Sequence, residues 1–333
     1  MSEYATKWAD PGLLEYRELA IEDLKRLSAY YALRPSKSCD SSPLVSYLYK
    51  YYYQVRYCEA GNALLLCYCG DEQPYGFIPF CRESELEYYF KIQESFFNQV
   101  LKVPVIIYSA DAEGVRCLQE TGALDNYEVI PSLDSRDYIY SGDDLRTLAG
   151  RKYSKKRNHI HKFQAAYGDR WEYRSLTYAD APAIREFLDG WMRKKRIAEL
   201  AETGVTEEGD VFNPAEELDG EYRGIVNLIS LPEAYSYMKI GGIFIDGMLR
   251  AFSIGIRSES MSMAIIDVEK ADGEIDGLYQ MINQQFLLHE FPDVELVNRE
   301  DDVGIEGLRQ SKLSYYPIDY AEKFTLKQKN FPA

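Results

Sequence analysis

The chain contains a weak internal repeat, and this repeat limits the folds that its 333 residues can adopt. Residues 15–19 (EYREL) resemble residues 172–176 (EYRSL), and a helical pattern follows each segment. The later order of patterns is also shared: an antiparallel group of strands, a helix, a strand, a second helix and a further strand. A repeat of this size indicates two copies of one fold.

The strands and helices of the two copies are predicted from β-branched and aromatic runs and from the residues that break them. Pro292, for example, ends a helix of the second copy. In the first copy we expect strands near 45–57, 62–69 and 75–80, a helix near 83–101, a strand at 105–109, a helix at 111–121, and strands near 127–131 and 136–140. In the second copy we expect strands near 235–246, 249–257 and 261–268, a helix at 275–291, a strand at 294–298, a helix at 303–314 and a last strand near 320–327.

Each copy contains one strand–helix–strand unit, whose two strands should be parallel and connected in the right-handed sense. A mixed sheet with one such crossover is the plan of the GNAT N-acyltransferases. We therefore predict an α/β protein (α+β, mixed sheets) with two tandem GNAT-like domains, residues 1–165, which end in a basic helix, and residues 166–333. The spacing of the copies requires an insertion in the second, near 194–221. This fold analogy specifies no substrate.

Composition excludes several classes of protein. No apolar run approaches the roughly 20 residues that cross a bilayer, and the N-terminus lacks the basic start and apolar core of a secretory signal. We therefore expect a cytoplasmic protein without integral membrane association. The six cysteines form no Cys-x-x-Cys pair and have no histidine nearby, which favours reduced core thiols over a metal site. With only three histidines, a Ser-His-Asp hydrolase is not expected.

Polar side chains follow both parallel strands of the second copy. Because ligands bind beyond the carboxyl ends of such strands, we expect these residues to form the reaction centre. The corresponding first-copy segment, 109–112 (SADA), is poorer in functional groups. The alternative is that acids at 301 and 302 only cap the helix that follows. The candidates are Asp267, Glu269 and Lys270 after one strand, and Asn298, Arg299 and Glu300 after the other.

Acyl transfer needs a general base and a group that assists the leaving atom. Glu300, or Asp267 or Glu269, is the expected base, while Tyr315 or Lys312 assists the leaving group. A core aromatic whose hydroxyl is satisfied is the alternative for Tyr315. Glycines at 273 and 277 flank the start of a helix and are a weak candidate for a pyrophosphate loop.

Positive charge is concentrated in two segments of an acidic chain whose formal net charge is −16. Residues 151–162 (RKYSKKRNHIHK) contain six Lys or Arg and no acid, and residues 193–196 (RKKR) add four more. If a helix ends at Gly150, these cations crowd the start of a new helix, where a bound anion would stabilise them. If the helix continues, a solvated charged face suffices. The expected substrate- or phosphate-binding residues are Arg151, Lys152, Lys155, Lys156, Arg157 and His159 of this segment, with Lys270, Asn298 and Arg299 at the strand ends.

Two blocks of the sequence resemble a known family. They are residues 144–160 (DLRTLAGRKYSKKRNHI) and residues 298–309 (NREDDVGIEGLR) with 312–317 (KLSYYP). The resemblance is to an uncharacterised bacterial family classed with the C-terminal domain of phosphatidylglycerol lysyltransferases. It implies a tandem GNAT fold, similar also to the Fem-type aminoacyltransferases, which take an aminoacyl group from a charged tRNA.

Three functions are compatible with these patterns. The first is an acyltransferase that moves an aminoacyl group from aminoacyl-tRNA, or an acyl group from acyl-coenzyme A, onto an amine or hydroxyl. It needs no tightly bound cofactor, and the tRNA acceptor end or coenzyme A would lie along the basic segment. The second is a non-catalytic binding module for a phosphorylated metabolite or an RNA end. The third is an interaction protein whose basic segment docks an acidic partner.

Overall fold

The computed structural model describes residues 11–69, 73–203 and 214–331. The chain divides into two compact units. The first unit comprises the chain up to Ile139 with Glu300–Ser314 and the residues from Asp319 on, and the second comprises Tyr140–Arg299 with Tyr315–Ile318. This division differs from the sequence-based boundary at 165 and 166, because segments from the end of the chain belong to the first unit.

Helices and strands alternate as in the predicted repeat. In chain order the helices are α1 (Asp23–Tyr31), α2 (Pro43–Leu48), α3 (Lys50–Tyr53), α4 (Leu86–Ser95), α5 (Ala112–Glu120), α6 (Gly142–Thr147), α7 (Ser154–Tyr167), α8 (Ala181–Thr203), α9 (Pro214–Ile229), α10 (Leu278–Glu290) and α11 (Glu306–Leu313). The strands are β1 (Arg17–Glu18), β2 (Val55–Ala60), β3 (Ala63–Tyr68), β4 (Tyr75–Gly76), β5 (Ile106–Asp111), β6 (Tyr127–Pro131), β7 (Asp137–Ser141), β8 (Trp171–Ser175), β9 (Lys239–Ile245), β10 (Met248–Ser258), β11 (Met263–Ala271), β12 (Leu296–Asn298), β13 (Asp319–Ala321) and β14 (Lys323–Gln328).

The first unit is built on a seven-stranded mixed sheet in the order β1-β2-β3-β4-β5-β14-β6. Its one parallel pair joins β4 to β5, with Gly76 opposite Ile107, and the connection between them contains α4. Both the parallel pairing and the crossover confirm the predicted strand–helix–strand unit. Apolar side chains of β3, α4 and α5 form the core on one face of this sheet, and Leu65, Phe97 and Leu118 are fully buried there.

The second unit repeats this plan with the neighbouring strands β12-β11-β10-β9-β8. β11 and β12 are parallel, with Met263 opposite Leu296 and Ile265 opposite Asn298, while the other neighbours are antiparallel. Helix α10 connects the parallel pair and packs on β9, β10 and β11. Two mixed sheets with one crossover each confirm the predicted tandem GNAT-like fold.

The segment 45–53 was expected to be a strand and is instead helical. Ser42 accepts a hydrogen bond from the backbone N–H of Leu44, and Pro43 occupies the first turn of α2. This cap and this proline begin a helix although the segment is rich in residues that favour strands. Tertiary burial of α2, in which residues 44–48 are all buried, therefore prevails over local strand preference.

The end of the chain differs most from the prediction. The expected single strand near 320–327 of the second copy is two strands, and β14 lies between β5 and β6 in the sheet of the first unit. β13 pairs with the start of β7, where Asp319 lies opposite Ile139. Backbone pairing with strands on both sides explains why the chain end belongs to the first unit, since an interior strand satisfies its hydrogen bonds on both edges.

A buried charge cluster anchors β14 in the first unit. The Lys323 ammonium is 2.8 Å from a carboxylate oxygen of Asp137 and 2.8 Å from one of Asp40, and Asp137 also accepts the backbone N–H of Cys39. Lys323 and Asp137 are almost completely buried. Burial raises the pKa of nearby Asp301 to about 6, although Lys323 opposes this effect.

The structure describes the predicted insertion of the second copy only in part. Of the expected insertion at 194–221, residues 204–213 lie outside the described residues, and the flanking residues are helical in α8 and α9.

In the described part of the chain, no helix is both long and apolar enough to cross a bilayer, and no group of three or more His, Cys, Asp and Glu side chains could hold a metal ion.

Candidate functional site

An ion pair joins the carboxyl ends of the two parallel strands in the second unit. A carboxylate oxygen of Glu269, near the end of β11, is 3.0 Å from the Arg299 guanidinium, immediately after β12. Both side chains are about seven-eighths buried, with exposed fractions of 14% and 13%. The other Glu269 oxygen accepts a hydrogen bond from the Asn283 amide at 3.0 Å. The guanidinium is therefore held at the sheet edge where α/β proteins bind ligands.

The Tyr315 ring contacts two cations in the same unit. The Arg299 guanidinium carbon is 4.9 Å from the ring centroid, and the Lys156 ammonium is 3.8 Å from it. Tyr315 is 3% exposed, and burial raises the pKa of its hydroxyl above the ordinary value. Burial, and secondarily the charge of Arg299, lowers the pKa of Lys156 to about 8. Lys156 therefore links the basic segment to the strand-end ion pair.

Asp267 lies at a bulge in β11. Ile254 of β10 pairs with Val268, and the next residue, Gly255, pairs with Ile266, so Asp267 is the extra residue on its strand. It is 3% exposed, and within the described chain neither carboxylate oxygen has a hydrogen-bond partner on another residue. Burial raises the pKa of Asp267 to about 8. A carboxyl group in this state can take up or release a proton near neutral pH.

The basic segment begins a new helix. α6 ends at Thr147, Leu148 is left-handed, and Gly150 has a φ of 83° before α7 starts at Ser154. Two of the segment's cations, Lys155 and Lys156, therefore lie in the first turn of α7, which contains no acid. The helix dipole disfavours positive charge at this end unless an anion is present. The structure thus selects the arrangement in which a phosphate ligand would be stabilising.

The cations of this segment differ in their partners. Arg157 donates to the backbone carbonyls of Leu148 and Gly150, the latter at 2.7 Å, and so closes the end of α6. Two other pairs are Lys152 with Asp144 at 2.8 Å and His159 with Asp276 at 2.7 Å. Arg151 and Lys155 are exposed and form no ion pair with the described residues. These last two are the cations best placed to bind an external anion.

Other predicted site residues have structural surroundings of their own. Lys270 is 2.8 Å from Glu221 and lies over the Trp191 ring at 4.6 Å, so it joins β11 to α8 and α9. Asn298 is fully buried within β12. Gly277 packs against the backbone of α7, since a Cβ there would be 2.3 Å from the carbonyl oxygen of His159, so only glycine fits this position.

Glu300 and Lys312 lie in the first unit. Glu300 has a left-handed φ of 58°, and its carbonyl accepts the N–H of Tyr138 at 3.1 Å. The Lys312 ammonium is 5.9 Å from the Tyr138 ring. Glu300 therefore belongs to the loop that precedes α11, and Lys312 belongs to that helix.

The helix expected to start at 303 begins at Glu306, and neither Asp301 nor Asp302 caps it. The capping alternative for these two acids is therefore wrong. Asp302 instead accepts hydrogen bonds from the Tyr138 hydroxyl, the backbone N–H of Gly304 and the Arg309 guanidinium. Although burial opposes them, these hydrogen bonds lower the pKa of Asp302 to about 2. Asp302 thus organises the loop before α11.

Sequence reasoning did not identify Asn283. It lies on α10 among Met281, Ile282 and Phe286 and is 2% exposed. A polar residue on the otherwise apolar face of a buried helix is the signal that could have revealed it, because buried amides need hydrogen-bond partners.

Comparison with known proteins identifies the family. Residues 31–327 match the family described as "Phosphatidylglycerol lysyltransferase, C-terminal". The chain belongs to this family. A curated relative, an uncharacterised protein of Mycoplasmoides gallisepticum, is 24% identical over 224 residues, which are 66% of this chain and 65% of that protein. The chain thus spans just under two thirds of that relative's length.

Solved structures show the same fold. A conserved protein of unknown function from Bacteroides thetaiotaomicron has a TM-score of 0.79 at 25% identity, covering 95% of this chain and all of that one. The structure of L-PGS from Bacillus licheniformis has a TM-score of 0.63 at 14% identity, and the match covers 92% of each chain. FemX has a TM-score of 0.58 at 10% identity, covering 95% and 97%. These three structures share the fold of this chain over more than nine tenths of its length.

Proposed function

We propose that this protein transfers an aminoacyl group from aminoacyl-tRNA to an amine or hydroxyl acceptor, and that the second unit contains the reaction centre. The observation that carries the proposal is the contact of Tyr315 with both Arg299 and Lys156. This contact connects the first turn of α7, where a phosphate of the donor would be stabilised, to the ion pair at the carboxyl ends of β11 and β12.

We assign one part of the transfer to each group of this cluster, and one to Asp267, which lies two residues before Glu269 on β11. The acceptor attacks the carbonyl carbon of the aminoacyl ester, and positive charge at Arg299 and Lys156 stabilises the oxyanion that forms. Asp267 accepts the proton that the acceptor releases. Tyr315, which keeps its proton because burial raises its pKa, donates to the leaving ribose oxygen. The products are the aminoacylated acceptor and free tRNA.

Glu269 and Asn283 hold Arg299 in position. The carboxylate bridges the guanidinium and the amide, with 3.0 Å on each side. A fixed guanidinium stabilises developing charge better than a mobile one, because it needs no reorganisation during the reaction. We therefore assign Glu269 a positioning role, and the proposed step uses groups of the second unit alone.

The donor is tested by binding and by transfer. The full chain is incubated with charged tRNA, uncharged tRNA or acetyl-coenzyme A, and the thermal midpoint is measured, since a ligand of the folded state raises it. We expect both tRNA forms to raise the midpoint, and labelled aminoacyl ester to be consumed when amine or hydroxyl acceptors are supplied. A rise with acetyl-coenzyme A and none with tRNA would instead identify an acyl-coenzyme A donor.

Charge reversal at Lys155 should weaken tRNA binding. Lys155→Glu removes an exposed cation from the first turn of α7 and adds a like charge to the donor's phosphates. We expect the dissociation constant to rise about tenfold at low salt, and the slope of log K against log salt to fall by about one. Filter binding between 50 and 200 mM salt would measure both.

Lys25→Glu is the matched control for this experiment. Lys25 is an exposed lysine on α1 of the first unit, and its reversal changes net charge by the same amount. We expect the control to shift affinity by less than about twofold. Equal losses in the two variants would show that net charge, and not the basic segment, governs tRNA binding.

A further inference from the structure

Two cysteines of the first unit lie side by side at the end of β3. Cys67 is in the strand and Cys69 follows it, with Tyr68 between them. Side chains two residues apart on an extended chain project from the same face, and the two sulfur atoms are 3.5 Å apart. Both cysteines are free thiols. The proposed transfer reaction uses neither of them.

The two sulfurs differ in their access to solvent. Cys67 is 2% exposed and belongs to the apolar core of the first unit, which also contains Leu65 and Cys58. Cys69 packs against the edge of this core and is partly exposed. A reagent in solution therefore meets Cys69 first, and Cys67 can react only through it.

The surroundings also divide the chemical roles. A hydrogen bond from the Cys67 thiol lowers the pKa of Cys69 to about 7, and Arg56 adds a smaller effect, while burial opposes both. The same hydrogen bond, with burial, raises the pKa of Cys67. Of the two thiols, Cys69 is therefore the one that more readily becomes the nucleophilic thiolate, while Cys67 keeps its proton.

We propose that Cys67 and Cys69 form a redox-active dithiol that exchanges with disulfides of low-molecular-weight thiols. The Cys69 thiolate attacks one sulfur of the small disulfide, forming a mixed disulfide and releasing one thiolate. That thiolate takes the Cys67 proton, and Cys67 then attacks the Cys69 sulfur and expels the second thiolate. In total the protein dithiol is oxidised to an intramolecular disulfide, and one small disulfide is reduced to two thiols.

Closure of the bond needs a small local movement of the chain. Two residues of extended chain span about 6.6 Å between Cα atoms, within the roughly 4.4–6.8 Å that disulfides bridge, but their parallel Cβ atoms are then farther apart than the roughly 3.5–4.5 Å that the bond requires. Cys69 follows Tyr68, the last residue of β3, and can approach Cys67, whose sulfur is already 3.5 Å away. Tyr68, the residue enclosed by the ring, stacks on Tyr75 of β4 with ring centroids 5.1 Å apart. Formation of the bond would therefore alter the contact of Tyr68 with β4, one of the two parallel strands of this unit.

Glutathione disulfide is the probe for this reaction. The full-length protein is incubated with it near pH 7.5, and the intact mass and the number of alkylatable thiols are then measured. We expect the loss of two hydrogens, the loss of two alkylatable thiols, a peptide linking Cys67 to Cys69, and full reversal by a reducing agent. No change, or a lasting glutathione adduct at Cys69 in the wild type, would overturn the proposal.

Single substitutions separate the two roles. Cys67→Ser should stop the reaction at the mixed disulfide and leave one glutathionyl group on Cys69, while Cys69→Ser should prevent both steps. Cys117→Ser, at another buried cysteine of the same core, is the matched control and should react like the wild type. Peptide mapping of the wild type decides the proposal even if a variant fails to fold.

Discussion

Replacing Asp267 with Asn is expected to slow aminoacyl transfer by a factor on the order of 10² to 10⁴, which is the usual contribution of a general base. Asn has nearly the same shape and cannot accept the proton. Because Asp267 is 3% exposed and its pKa is raised to about 8 by burial, the wild-type rate should rise with pH up to about 8. This limb should be absent from the residual activity of the variant.

The same substitution should stabilise the protein at high pH. In the folded state the pKa of Asp267 is near 8, whereas in the unfolded chain an aspartate has a pKa of about 3.9. Between these values the folded state holds a proton that the unfolded state has released, so the free energy of unfolding falls as pH rises. We expect Asp267→Asn to be more stable than the wild type by on the order of 5 kcal/mol at pH 8, and about equally stable near pH 4.

Urea titrations at several pH values measure this effect, and Glu274→Gln is the control. Glu274 is an exposed acid just past β11, so its neutralisation should change neither the rate nor the pH dependence of stability. An Asp267→Asn variant that is more stable but fully active would show that Asp267 is not the general base. The effect of its burial on stability would still be confirmed. A variant that is less stable at pH 8 would contradict the burial argument itself.

Replacing Lys323 with Met is expected to destabilise the first unit by about 3–5 kcal/mol, the usual result of removing one partner from a buried ion pair. Met fills a similar volume but leaves the carboxylates of Asp137 and Asp40 without their ammonium, 2.8 Å from each. Since Lys323 begins β14, the loss should also loosen the insertion of this strand between β5 and β6. Urea unfolding and amide hydrogen exchange of β14 would measure the two effects.

Lys327→Met is the matched control on the same strand. Lys327 is exposed, so its replacement should change the free energy of unfolding by no more than about 0.5 kcal/mol. Adding Asp137→Asn to Lys323→Met should recover part of the lost stability, because it removes the uncompensated buried charge. If the Lys323 and Lys327 variants are equally stable, the buried cluster does not anchor β14.

The repeat and its patterns predicted the architecture well where local signals and burial agree. The parallel pairs β4–β5 and β11–β12 follow from apolar runs that alternate with helices, and both confirmed the fold class. The prediction of a strand at 45–53 was wrong because β-branched and aromatic residues suit either a strand or a buried helix. Only the cap at Ser42 distinguishes the two structures. The partner strands of β14 could not be predicted either, since no local pattern of residues determines which sheet a strand joins.

The candidate site shows the same division. Acids and an arginine after two predicted parallel strands are visible in the sequence, because strand ends can be located from periodicity. The contact of Lys156 with Tyr315 joins residues 159 positions apart in the chain, and the amide of Asn283 reaches Glu269 from a helix. These contacts depend on how elements pack, which periodicity does not encode.

By itself the sequence determined the repeated fold, the segregation of positive charge and the polar ends of the parallel strands, because each is a local pattern of residue types. Only the tertiary structure decided that the basic segment begins a new helix, that Asp267 is a buried acid with no hydrogen-bond partner on another described residue, and that the last strand completes the first unit. The physical reason is that helix ends, burial and strand partners are set by contacts between residues distant in the chain, whose free energies exceed local preferences.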